Sequence, residues 1–96
     1  AIDREEIVKR VLRGVGTPGN DHPLSEAYAF YNGAIPQRAY DPEKAKFHLA
    51  KAGAANLKVQ LHVSETPFTG ATDAAVLFKG HAAKAGITID VVKEPE

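Results

Sequence analysis

Leu57-Lys58-Val59-Gln60-Leu61-His62-Val63 and Ile87-Thr88-Ile89-Asp90-Val91 alternate apolar and polar side chains, the period of two that gives a strand one buried and one solvated face. Between them, Thr72 to Ala85 places Ala75, Val76, Ala82 and Ala83 at the spacing of a helix with a narrow apolar stripe. Gly80 lies in its interior, where glycine costs about 1 kcal/mol relative to alanine. Strand, helix, strand is a βαβ unit, and its crossover predicts a parallel pair. Ala50-Lys51-Ala52-Gly53 recurs as Ala83-Lys84-Ala85-Gly86, each time closing a helix just before a strand, so one helix-to-strand turn is used twice. Two strands leave open edges and a half-covered sheet, which predicts further strands outside this chain.

Upstream, Asp41-Pro42-Glu43 is a helix start: an aspartate cap, a proline whose missing N–H is harmless in the first turn, and an acid suited to the helix dipole. That helix runs to about Ala52, with Ala45, His48, Leu49 and Ala52 on one narrow face that is expected to pack closely. A first helix is predicted over Asp3 to Arg13, where Ile7, Val8, Val11 and Leu12 share a face; Asp3 and Glu6 stand at capping-box spacing, and Gly14 and Gly16 end it. From Gly14 to Tyr40 the chain is punctuated by Thr17-Pro18-Gly19-Asn20, His22-Pro23, Asn32-Gly33 and Ile35-Pro36, with no sustained period. Unstructured loops longer than about 15 residues are uncommon in compact domains. Tyr28, Phe30, Tyr31 and Tyr40 carry too much ring surface for a solvated linker, so the loop is expected to lie packed on a neighbouring surface.

The 96 residues bound the chain to one small domain, and 44% hydrophobic with 25% charged residues is the composition of a globular chain. Twelve basic and twelve acidic residues cancel without a basic run, which argues against nucleic acid as a partner. The lack of cysteine removes disulfides and thiolate metal sites. No stretch reaches the roughly 20 apolar residues of a membrane span. The opening Ala1-Ile2-Asp3 has neither an initiator methionine nor a signal peptide, and the natural protein is expected to continue upstream.

His22, His48, His62 and His81 show no metal-ligand spacing, so neither metal nor cofactor is expected; His48 and His81 read as helix-surface or half-buried residues, and His62 as a residue of its strand's polar face. Ser25 and Ser64 lack a nucleophile context, and no catalytic residue is assigned. Gly14-Val15-Gly16 follows a helix instead of a strand, which removes the geometry of a phosphate loop. The candidate ligand contacts are Asn20, Asp21 and His22, three polar side chains on the aromatic loop. Asn20 and Asp21 equally suit the satisfaction of turn backbone groups, and Tyr28, Tyr31 and Tyr40 suit anchoring of the loop.

Ala1-Ile2-Asp3-Arg4-Glu5-Glu6-Ile7-Val8 resembles a segment of the family 5 extracellular solute-binding proteins, a group that includes dipeptide-, oligopeptide- and nickel-binding proteins. Tyr40-Asp41-Pro42-Glu43-Lys44-Ala45-Lys46, the two helix ends and Gly86-Ile87-Thr88-Ile89-Asp90-Val91 follow in that family's order, so the resemblance spans essentially the whole chain. Asn20-Asp21-His22-Pro23 is similar to the form seen in peptide or dipeptide binders, whereas Gly80-His81 departs from the family's polar pair. The resemblance implies an α/β fold: residues 1–96 as a single partial domain, an incomplete αβαβ piece of the second lobe of a two-lobe periplasmic-binding protein. It also implies capture of a peptide or similar small solute for an ABC permease, outside the cytoplasmic membrane and attached through the transporter or a lipid anchor. The family's usual aspartate anchor for a peptide amino terminus has no match here. The rival reading is a self-standing α/β interaction or dimerisation module, an enzyme subdomain ranking last. With strands missing, the isolated piece is expected to oligomerise, covering its open edges, or to be marginally stable.

Overall fold

In the computed structural model, which describes residues 1–19 and 21–95, the elements run α1 (Arg4–Arg10), α2 (Pro42–Lys51), β1 (Lys58–Val63), α3 (Ala71–Ala83) and β2 (Thr88–Lys93). The fold is α/β. β1 and β2 pair in parallel, Val59 opposite Ile89 and Leu61 opposite Val91, so the alternating apolar residues of both strands share one face. α3 crosses that face and lies over β2 more than β1. The opposite face carries Lys58, Gln60, His62, Thr88 and Asp90. Among the described residues each strand keeps one unpaired edge.

The buried set is Ala71, Ala75, Ala82, Ala85 and Ile89 with His81, so α3 approaches the sheet through methyl groups. Both Ala-Lys-Ala-Gly segments end their helices alike: Gly53 and Gly86 take φ of 69° and 83°, and the amides of Ala54 and Ile87 donate five residues back to the carbonyls of Leu49 and Ala82. That bond is the outer one of a Schellman closure, which needs a left-handed residue where only glycine is unstrained.

Both predicted aspartate caps form, Asp3 accepting from the Glu6 amide and Asp41 from the Lys44 amide, each at 3.0 Å. α1 is shorter than its stripe predicts. Val11 is already its C-cap, and Arg13 (φ 53°) and Gly14 (φ 81°) turn the chain away, so Val11 and Leu12 lie beyond the helix. β2 runs two residues past Val91, because Val92 and Lys93 continue the ladder opposite His62 and Val63. α2 has no buried residue, so its alanine-rich face does not make the close packing expected of it.

The predicted loop has no helix or strand among its described residues, but it does not lie packed on a neighbouring surface. Phe30 is 89% and Tyr28 63% exposed, since the attachments of the loop are polar. Arg4 pairs with Asp21 and donates to the Arg38 carbonyl at 3.3 Å, and Gln37 Nε2 donates to the Gly19 carbonyl at 3.2 Å. The two arms of the loop are thereby tied to each other and to α1. Among the described residues no helix is long and apolar enough to cross a membrane.

Candidate functional site

The carboxyl ends of β1 and β2 lie side by side, and the segment from Ser64 to Gly70 leads from β1 into α3. In open α/β sheets this end is where connecting loops and helix N-termini meet ligands. A cavity of about 440 Å³ opens here, lined largely by apolar side chains that include Ile7, Leu61, Val63, Phe68, Ala75 and Phe78. The strand lining comes from Leu61, His62 and Val63 of β1, with Glu94, directly after β2, beside them. His62 and Glu94, also in the lining, are paired through Nδ1 and Oε1. The volume is within the range of small-molecule pockets, and the few polar groups beside an apolar lining follow the usual pattern of such sites.

The connecting loop is organised by Glu65. Its Oε1 accepts the Gly70 amide at 2.9 Å, and its Oε2 accepts the Thr72 amide and hydroxyl, both at 3.3 Å. Gly70, the N-cap of α3, has no side chain with which to cap the helix, and Glu65 supplies the missing acceptor from five residues upstream. Donation by the Thr72 amide, joined by the Gly70 amide and the Thr72 hydroxyl, holds the Glu65 carboxyl below its ordinary value against the opposing cost of desolvation. Gly70 is required twice over, by its φ of 91° and because a Cβ there would stand 2.6 Å from Val11 Cγ1.

The predicted contacts fall elsewhere, on the loop between α1 and α2. Asn20 lies outside the described residues. Asp21 is exposed and engaged by Arg4 and, at 3.8 Å, by Arg38 Nε. His22 is half-buried with its ring 5.3 Å from that of Tyr31, and both rings border a second cavity of about 330 Å³ with Pro18, Leu24 and Glu26. Of the tyrosines read as anchors, Tyr40 donates its hydroxyl to the His81 carbonyl at 3.1 Å, whereas Tyr28 stands in solvent.

His81 is no surface residue: it is 2% exposed, because α1 and Tyr40 close over it. Its Nδ1 accepts the Asp3 amide at 3.1 Å and its Nε2 donates to Glu6 Oε2 at 2.5 Å, which assigns the neutral Nε2–H tautomer. The hydrogen bond from His81, with the Arg10 charge, holds the Glu6 carboxyl below its ordinary value. Asp3, Glu6 and His81 thus bring one potential ligand atom each within 4.8 Å of one another, a grouping the histidine spacing did not reveal. Both ring nitrogens are engaged, so the group works as a hydrogen-bonded joint between α1 and α3.

Residues 1–96 match the family model described as "Bacterial extracellular solute-binding proteins, family 5 Middle". Heme-binding protein A of Haemophilus influenzae is 43% identical over 56 residues, 58% of this chain and 10% of that protein. A solved structure of DppA from Helicobacter pylori, an ABC transporter-associated periplasmic binding protein in complex with peptide STSA, superposes with a TM-score of 0.82 at 26% identity. The match covers 97% of this chain and 18% of that one, so the chain spans less than a fifth of the length of either relative. With its α/β unit, its strand-end cavity and a family match from the first residue to the last, the chain belongs to the family 5 bacterial extracellular solute-binding proteins.

Proposed function

We propose that this chain is part of one lobe of an ABC importer's substrate-binding protein, working outside the cytoplasmic membrane to capture a peptide or similar small solute and deliver it to the permease. The observation that carries the reading is the cavity at the carboxyl ends of β1 and β2, bordered by the Glu65-ordered loop, on a chain of this family. It is a binding role with no chemical step. The peptide held by the similar DppA supports the ligand class, and that protein's association with an ABC transporter supports the permease.

The unpaired outer edges of β1 and β2 fit a partial domain whose sheet is continued by other parts of a longer polypeptide. A second lobe then supplies the opposing wall. Ligand that contacts both lobes shifts the population toward a closed form, which the permease distinguishes from the open one. The turn of Asn20, Asp21 and His22 is a further contact zone in this reading, with Arg4 holding Asp21 and the Tyr31 ring beside His22. A self-standing module is not favoured, because the family match spans all 96 residues while the matched proteins are many times longer.

Calorimetric titration of the full-length protein with a panel of dipeptides and oligopeptides tests the reading. Saturable binding of at least one peptide supports it. Flat heats across the panel, with saturable binding of a non-peptide solute in the same cell, remove the peptide class.

A further inference from the structure

We infer that the cavity at the end of β1 is a subsite for an alkylammonium group, with Glu94 as the residue that takes the cationic nitrogen and the apolar lining as the seat of the attached hydrocarbon. The inference rests on the solute-binding reading and adds the charge of the ligand group that this site accepts.

The cavity lining carries one carboxylate, that of Glu94, and no lysine or arginine. This carboxylate is held from two sides: the Glu94 amide donates to the Val63 carbonyl at 2.8 Å, and His62 Nδ1 donates to Oε1. The His62 and Glu94 side chains are each about half-exposed, so a ligand in the cavity can reach them. A carboxylate accepts at both oxygens, and the His62 bond occupies Oε1 alone, which leaves Oε2 for a donor from the ligand. Lys93, the neighbouring cation in the chain, is absent from the lining and acts on Glu65.

The rest of the lining sets what the donor is attached to. Leu61, Val63, Phe68, Ala75 and Phe78 offer hydrocarbon surface, with Ser64 a small polar exception. A cation that gives up water beside such a surface needs an opposite charge within reach, and Glu94 supplies it. An ammonium on an aliphatic stem meets both conditions, as lysine does when its stem lies along apolar surface and its head keeps a polar contact. A peptide's amino terminus next to an apolar side chain offers the same two groups. An anionic group in this place meets the like charge of Glu94 with no lining cation to offset it, so the subsite also discriminates through repulsion.

The test is calorimetric titration of the full-length protein with tetra-alanine probes in which one position at a time is lysine or norleucine, each with a free or an acetylated amino terminus. In at least one matched pair the probe that carries the ammonium binds about ten-fold more tightly, the size expected of a hydrogen bond to a charged group. Lysine over norleucine assigns the ammonium to a side chain, and free over acetylated assigns it to the amino terminus. In Glu94→Gln, which keeps an acceptor for His62 and removes the charge, that ratio falls to about two-fold or less for the same pair. Equal binding within every pair by the unmodified protein overturns the inference without need of the variant. A ratio that persists in Glu94→Gln also overturns it, and leaves the solute-binding reading standing. Flat heats for every probe overturn this inference together with the peptide-binding reading.

Discussion

His81 Nε2 stands 2.5 Å from Glu6 Oε2, joining the end of α3 to the first turn of α1 across most of the chain's length. The ring's other nitrogen accepts the Asp3 amide, the donor that a capping box would have given to Glu6. Replacing His81 by Phe keeps a ring of similar size, strands the Asp3 amide and leaves the Glu6 carboxylate with Arg10 as its remaining side-chain partner. The expected loss is about 2 kcal/mol in urea unfolding, within the range for unpaired buried polar groups. Tyr40→Phe, which removes one hydroxyl bond to the His81 carbonyl, is expected to cost about 1 kcal/mol in the same assay.

Gly70→Ala places a methyl group against Val11 Cγ1 and forces alanine to φ of 91°. A loss of about 2 kcal/mol is expected from strain and overpacking together. Combining it with Val11→Ala is expected to recover part of that loss, which unfolding of the double variant measures.

Gly80 is the converse case. It lies inside α3 with open space where a Cβ would point, so Gly80→Ala is expected to add about 1 kcal/mol of stability, read as a raised urea midpoint with unchanged slope.

Acid is expected to loosen the chain through Glu6 and Glu65. Both carboxyls are held below their ordinary values in the fold, so over that window the unfolded chain binds more protons than the folded one. Their stabilisation is present in full above the ordinary glutamate range and is lost as pH falls through the lowered folded values. Urea midpoints measured between about pH 6 and pH 2.5 should decline along this limb, and Glu6→Gln with Glu65→Gln should flatten it.

What the sequence made legible was local. Alternation at 57–63 and 87–91, the caps Asp3 and Asp41, and the twice-used Ala-Lys-Ala-Gly ending each depend on neighbours in the chain, and each appears in the fold. β2's last two residues escaped because Val91 and Val92 are both apolar and break the period, while pairing with β1 carries the strand onward.

The rest depended on partners far away in the chain. His81 reads from sequence as a helix-surface or half-buried residue, but α1 covers it fully, and Glu65 caps α3 from outside any capping-motif spacing. Signals existed for both: a histidine between small residues at Gly80 and Ala82, and an acid just after a strand and before a glycine-started helix. The α1 stripe was read correctly as apolar and wrongly as helical to Arg13, because Val11 serves Gly70 of a distant turn. Ring content suggested a packed loop, whereas Arg4 and Gln37 hold it through polar bonds and leave Phe30 in solvent.

Solute is expected to meet the loop at the carboxyl ends of the two strands. Amide hydrogen exchange of the full-length protein, with and without a saturating peptide identified by calorimetry, measures this contact. Slowed exchange on peptide addition across residues 61–72 is the predicted result. Exchange there that is unchanged while peptide is bound, whether or not residues 17–26 respond, would contradict it.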